Sequence, residues 1–237
     1  MAEPMIYLRV NRVASDLCSR ARNVTVADLH ESTAFLGYEG LMASRMRRIT
    51  RGTVAGPAVT ALCRAGDNLM MHRALSLAEP GDVLVVVSQG ESSAALWGDV
   101  ATRFAMKRGL AGVIVQGGVR DTDAVSELGF PVWATDVTPR HADKGKLGGV
   151  NLPVVCGGVL VRPGDLVAAD GDGVVIVDRR HAEVVVAGAE AKMKREEEVA
   201  ARIAAGELLW TLTGSSDAFQ KLGALERDAA FDDQDSA

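Results

Sequence analysis

Cysteine is scarce, an excess of basic charge is missing and no long apolar run occurs in this chain of 237 residues. Cys18, Cys63 and Cys156 stand far apart and in no CxxC spacing, which argues against a zinc or disulfide framework and for buried, reduced thiols. The net charge of −5, from 26 Lys+Arg against 31 Asp+Glu, leaves no cationic field for a polyanion, so no nucleic-acid partner is expected. No stretch approaches the ~20 apolar residues of a membrane span. The opening MAEPMIYLRVNR also lacks a basic region followed by an apolar one, so neither a signal peptide nor a membrane partner is expected, and the cytoplasm is the expected location. Gly117-Gly118 fits no phosphate-loop pattern, and no internal repeat is present. Small molecules and proteins are left as the partner classes.

What the chain does have is apolar material for one sizeable core, 48% hydrophobic against 24% charged. Its organising stretch is GLAGVIVQGGVRD, residues 109–121. Leu110, Val113, Ile114 and Val115 read as a buried parallel strand that opens through Gln116-Gly117-Gly118 onto an arginine and a carboxylate side by side. Open α/β sheets place ligands beyond the carboxyl ends of such strands. We therefore read Arg120 and Asp121 as the active centre.

The remaining elements come from periodicity and turn chemistry. Residues 1–23 carry scattered charge and a weak helical pattern through Val13, Leu17 and Ala21, and are expected to be a peripheral arm. Thr25 to Leu29 resembles a capped helix start. Ile49 to Leu62 reads as two strand-like pieces broken at Gly56-Pro57, and Leu69 to Ala78 as a helix, with His72 a structural residue on its apolar side. Val83 to Val87 is a strand, Ser93 to Gly109 has helical periodicity, and the strand at 112–115 completes a βαβ unit. A short helix over 121–127 and a strand over Phe130 to Trp133 come next. Beyond them lie short strands split by Gly157-Gly158 and by Gly171-Asp172-Gly173, which suggests a mixed sheet or two packed sheets. Residues 179–205 return to helix with a thin apolar stripe through Val185, Ala189, Met193 and Val199. The tail after Gly206, ending FDDQDSA, is expected to fray. The implied organisation is an arm (1–23), a main α/β domain (24–178) and a C-terminal helix and tail (179–237) packing on a neighbouring subunit.

The segments GDNLMMH (66–72), PGDVLVV (80–86), LWGDVAT (96–102), RGLAGVIVQGGVRD (108–121), LGFPVW (128–133), NLPVVCGGVLVRPGD (151–165) and AADGDGVVIV (168–177) resemble the 4-hydroxy-4-methyl-2-oxoglutarate / 4-carboxy-4-hydroxy-2-oxoadipate aldolases of the RraA-like superfamily. The likeness runs in order from about residue 50 to 206. It implies a swivelling β/β/α fold within the α/β class, and homotrimers or homohexamers with active sites between subunits. It also implies a class II pyruvate aldolase that uses Mg²⁺ or Mn²⁺ on an oxoacid substrate. By that resemblance the metal ligand falls on Asp121 and the substrate arginine on Arg120. The substrate loop falls on Gly98, Asp99, Val100 and Ala101. Ungapped counting from Asp121 places a helix glutamate that reaches a neighbour's site on Glu196, with Glu197 and Glu198 directly after it.

The chemistry asks for these residue types on its own terms. Cleaving C3–C4 of a 4-hydroxy-2-oxoacid leaves a pyruvate enolate, whose charge a Lewis acid stabilises. Mg²⁺ keeps several waters and needs only one or two carboxylates, so Asp121 helped by Asp99 suffices. Arg120 offers a fixed fork of donors that Lys could not imitate. The base that takes the 4-hydroxyl proton is a water at the metal, oriented either by Asp99 or by Glu196. A second class stays open: superfamily regulators that bind ribonuclease E and have lost the carboxylate after the arginine, against which Asp121 stands intact. An aldolase with another oxoacid substrate, or one used as an oxaloacetate decarboxylase, also stays open. A methyltransferase does not, because no glycine-rich S-adenosylmethionine loop follows an early strand.

Overall fold

Long runs of valine alternate their side chains between the two faces of a central sheet, and each face finds its own cover. The structure, a computed structural model, describes residues 4–37, 39–90, 93–227 and 230. The chain divides into two compact units, Met1–Ala191 and Lys192–Ala237.

In the first unit the strands are β1 (Met5–Ile6), β2 (Arg47–Arg48), β3 (Val54–Arg64), β4 (Val83–Gln89), β5 (Ala95–Trp97), β6 (Gly112–Val119), β7 (Val132–Val137), β8 (Gly149–Val150), β9 (Val154–Cys156), β10 (Val159–Val161), β11 (Leu166–Ala169) and β12 (Val174–Val177). The helices are α1 (Ser15–Ala21), α2 (Val26–Glu31), α3 (Leu69–Leu77), α4 (Asp99–Arg108) and α5 (Thr122–Leu128), and α6 (Ala182–Ala204) begins here. The main sheet runs β1-β8-β3-β4-β6-β7-β2. Its centre, β3-β4-β6-β7, is parallel, because α3, α4 and α5 supply the crossovers that parallel neighbours require. On one face Leu84, Val86, Val113 and Val115 pack with Met71, Leu75 and Ala105 of the helices. On the other, Val83, Val85, Ile114 and Trp133 pack with Val154, Val161, Val167 and Ile176 of the later strands. The result is three layers, β on β on α.

Several expectations shift. Gly56-Pro57 does not break the strand: β3 is continuous, pairing β11 over Val54 to Pro57 and β4 from Ala58 onward. Proline is tolerated there because it stands where the strand changes partners. The N–H of Ala58 points to Asp165 O (2.8 Å), so position 57 faces the side on which β4 pairing has not yet begun. Ser93 to Gly109 is not one helix either. Ala95 to Trp97 pair with Gly118 and Val119 as β5, and α4 begins only after the extended Gly98; sheet pairing overrides the helical period. β7 begins two residues later than expected and runs on to Val137.

Within the expected arm, residues 13–21 pack into the first unit. Val13, Leu17, Cys18 and Ala21 are buried, and Arg12 makes a two-pronged contact with the buried Asp82 (Nε–Oδ1 2.8 Å, Nη2–Oδ2 2.9 Å). Thr25 caps α2 by accepting from the Asp28 N–H (3.0 Å), as a helix start of this type requires. The three cysteines are buried and free. Burial pushes the Cys63 thiol up to about 12, so it behaves as a small hydrophobe.

The second unit contains the rest of α6, then α7 (Leu209–Leu212) and α8 (Ser215–Leu222), where a frayed tail was expected. Trp210 meets Phe219 edge-on at 5.4 Å, and Arg202 pairs with Glu207 (2.6 Å). None of its described residues is fully buried. The acidic FDDQDSA end lies outside the described residues. Among the described residues, no helix is long and apolar enough to cross a membrane.

Candidate active site

β6 carries the chain to the candidate site and a bulge aims it. Its register with β7 shifts between Val115 and Gly118. Gly117 sits at φ +150°, where a Cβ would come within 2.9 Å of Leu96 Cδ1. Such irregularities redirect the residues beyond them, here Arg120 and Asp121. The N–H of Arg120 donates to Trp97 O at 3.0 Å, which ties the end of β6 to the segment leading into α4. Trp97 is itself fixed. Its ring stacks on Phe130 (6.2 Å), and its Nε1 donates to Thr102 Oγ1 (2.8 Å), which donates on to Gly98 O (3.0 Å).

Asp121 adopts the left-handed backbone conformation, φ 56° and ψ 35°, which Asp and Asn tolerate better than other non-glycine residues. It precedes α5 but does not cap it with its side chain. Its Oδ2 instead lies 3.4 Å from Arg120 Nε and accepts the N–H of Asp99 at 3.3 Å. An uncommon backbone conformation whose carboxylate faces a hollow rather than its own helix is a pointer to function. Gly98 makes the approach possible. A Cβ on it would stand 2.6 Å from Asp121 Oδ2 and 3.2 Å from Arg120 Cγ.

These residues form one wall of a cavity of about 210 Å³, room for roughly seven waters at about 30 Å³ each. Gly98, Asp99, Val100, Ala101, Arg120 and Asp121 all line it, so the structure brings these six expected site residues together. The first N–H groups of a helix have no acceptor within it; on α4 that of Asp99 is taken by Asp121 Oδ2, and Val100 and Ala101, next in the first turn, line the cavity, a setting suited to an anion. The Asp99 carboxylate lies 3.6 Å from Arg103 Nε. Glu196 is not among the residues lining this cavity; it belongs to the second unit, where it pairs with Lys192 Nζ at 2.6 Å.

Other residues that line the cavity are not legible in the sequence. Asn68, Met71 and His72 come from the start of α3, and His141, Ala142 and Lys144 from the loop before β8. Asn68 Oδ1 is buried with no hydrogen-bond partner among the described residues. His72, expected to be structural, faces the cavity. Burial first, and then the charge of Lys144, lower its pKa, so it stays neutral at neutral pH. The readable signal was the basic residues His141 and Lys144 in a loop with no apolar pattern of its own.

Among the described residues, no three His, Cys, Asp or Glu side chains cluster to hold an ion. Besides the imidazoles of His72 and His141, the cavity carries a set of carboxylate oxygens, those of Asp121 and Asp99. That set fits a hard cation that keeps most of its waters, and it does not fit structural zinc. A wider hollow of about 1000 Å³ passes Ser88, Gln116, Gly117 and Thr135 but includes neither Arg120 nor Asp121. Two of its polar groups are already engaged, Gln116 Oε1 with the Gly157 N–H (2.7 Å) and Thr135 Oγ1 with the Gly117 N–H (2.9 Å). The smaller cavity is the stronger candidate.

Residues 25–176 match the RraA-like family model described as Aldolase/RraA. A protein of Halalkalibacterium halodurans, named provisionally as a 4-hydroxy-4-methyl-2-oxoglutarate aldolase, is 38% identical over 144 residues, 61% of this chain and 69% of its own. Among solved structures, an uncharacterized protein from Pseudomonas syringae pv. tomato aligns with a TM-score of 0.79 at 25% identity, over 87% of this chain and 97% of that one. Streptomyces coelicolor RraAS2, described as an unusual member of the RNase ES inhibitor RraA protein family, aligns with a TM-score of 0.72 at 33% identity, over 81% and 98%.

Proposed function

The chain belongs to the RraA-like (Aldolase/RraA) family, and on that footing we propose that it is a divalent-metal-dependent aldolase that splits a 4-hydroxy-2-oxoacid into pyruvate and a second oxoacid. The observation that carries this reading is the convergence of Arg120, Asp121 and the start of α4 on one small cavity. The provisional name of the Halalkalibacterium halodurans relative supports it. The volume supports it too, lying below the roughly 300–1,000 Å³ of pockets that enclose drug-sized ligands.

Asp121 would hold the cation, with Asp99 reaching it through water, and Mg²⁺ or Mn²⁺ suits that oxygen set. Bound there, the ion supplies Lewis acidity to the 2-oxo group of the substrate. Arg120 orients the oxoacid with two parallel donors and holds negative charge as the enolate forms after C3–C4 breaks. The N–H groups of Val100 and Ala101, at the start of α4, would receive the substrate carboxylate. Asp99, or Glu196 from a neighbouring copy, orients the water that takes the 4-hydroxyl proton, and that proton later returns to the enolate carbon to give pyruvate. Glu196 acts in this scheme only if copies of the chain assemble, so we assign a homotrimer or homohexamer with sites between subunits.

The ribonuclease-inhibitor reading, suggested by the Streptomyces coelicolor neighbour, needs neither Asp121 nor the cavity. The test is pyruvate release from a panel of 4-hydroxy-2-oxoacids and oxaloacetate, with Mg²⁺, with Mn²⁺ and with excess EDTA. Release that depends on the metal is the expected result. Turnover unchanged in EDTA would remove the class II mechanism, and silence across the panel would remove the aldolase.

A further inference from the structure

Part of the cavity lining comes from two segments about seventy positions apart, and one buried carboxylate ties them together. Asp67 is 1% exposed. Its Oδ1 accepts the N–H of Leu69 (2.9 Å) at the start of α3, and its Oδ2 accepts the N–H groups of Gly145 (2.5 Å) and Lys146 (2.9 Å) in the loop before β8. Backbone bonds reinforce the seam: Asn68 N–H to Asp143 O (3.0 Å) and Asp143 N–H to Gly66 O (2.8 Å). Burial opposes charge on Asp67, but the three N–H groups outweigh it and hold its carboxyl below the ordinary value. An ionised carboxylate can accept all three at once; a neutral amide has only one oxygen to offer.

The residues on either side of this anchor are the ones that face the cavity. Asn68, Met71 and His72 come after Asp67 on the helix side; His141 and Lys144 precede Gly145 on the loop side. Between Thr138 and Gly148 the loop has no strand or helix, only the single bridge of Asp143 with Asp67. We infer that Asp67 is a positioning residue, which clamps the 141–146 loop against the start of α3 and so sets where His141 and Lys144 meet the substrate. This rests on the aldolase reading for its kinetic consequence and on geometry alone for the clamp.

Asp67→Asn removes one acceptor and the charge while keeping the shape. A reacting geometry disturbed by about 1 Å can lose on the order of 10² in rate, so kcat/KM for pyruvate release should fall by roughly that factor. Metal affinity, titrated directly with Mn²⁺, should be unchanged, because the contacts of Asp121 and Asp99 run to each other, to Arg120 and to Arg103 rather than to Asp67 or its loop. In a His141→Ala/Lys144→Ala background Asp67→Asn should add little, since the two side chains that it positions are already gone. A merely structural role predicts the opposite, a full loss in either background. Amide hydrogen exchange gives a second, activity-independent reading. In wild type the Gly145 and Lys146 amides should be protected despite lying outside regular structure, and in Asp67→Asn they should exchange faster. Fast exchange at both amides in the wild type overturns the clamp even if the variant does not fold. Wild-type kcat/KM in a folded Asp67→Asn overturns the positioning role. If the wild type cleaves nothing in the panel, the aldolase reading falls and the exchange experiment still decides the clamp.

Discussion

Arg120 is the residue on which the chemistry is most exposed to test. Its guanidinium is held beside Asp121 at 3.4 Å, and its backbone is fixed through Trp97, so its fork of donors has a set direction. Lysine in its place keeps the charge and loses the plane. Arg120→Lys is expected to lower kcat by roughly 10²–10³, the usual loss of a donor at a developing oxyanion, with metal affinity unchanged. Steady-state pyruvate release beside a metal titration checks this; a rise in KM at unchanged kcat would mean that Arg120 binds ground and transition states alike. Gly98 gives a complementary prediction. A methyl group there would meet Asp121 Oδ2 at 2.6 Å, so Gly98→Ala must turn the carboxylate away. Metal affinity should fall by roughly tenfold or more, a displacement effect, while the circular dichroism spectrum stays that of wild type. Unaltered Mn²⁺ binding in Gly98→Ala would remove Asp121 Oδ2 from the metal site.

At the scale of elements, the entry to α6 shows how a charge holds a corner. Asp178 O accepts the N–H of His181 (2.8 Å), and Asp178 Oδ1 accepts the N–H and the Nε of Arg180 (both 2.9 Å). The Arg180 side chain, above all, holds the Asp178 carboxyl well below the ordinary carboxylate range against the opposing effect of burial. A depressed carboxyl contributes stability that is complete above its unfolded value and is lost as pH falls. The wild-type melting temperature should therefore drop from about pH 5 downwards, and Asp178→Asn should melt lower at pH 7 with a flatter acid limb. Parallel acid limbs for the two proteins would show that Asp178 titrates alike folded and unfolded.

Elements also show what could be read in advance. The apolar run into Arg120-Asp121 was legible because strand, turn and charged pair are contiguous. β5 was not, because three residues cannot declare a period and their pairing with Gly118 and Val119 is set by distant chain. The continuity of β3 through Pro57 depends on a change of partner that no local pattern encodes. Asn68, His141 and Lys144 were hidden for the same reason: what joins them is Asp67, acting across the fold.

For the whole molecule, the distribution of apolar surface bears on assembly. The first unit buries the valines of its central strands on both faces of the sheet, Val83, Val85, Val86, Val113 and Val115 among them, whereas the second has no fully buried described residue and leaves Leu208, Trp210 and Leu222 at 70%, 49% and 85% exposure. Exposed apolar side chains gathered in one region call for a partner surface. The expected state is a trimer or hexamer, measured by light scattering at assay concentration. A fully active monomer would remove both the assembly and the part assigned to Glu196.

The left-handed turn at Asp121 also bears on descent. Asparagine is the residue that best shares aspartate's tolerance of that backbone, and its codons differ from those of aspartate by one base. On the reading of Asp121 as the metal ligand, a lineage with this architecture could silence its chemistry in a single mutational step and keep the turn and the sheet. A gene copy so silenced would still be a folded protein, open to selection for binding alone.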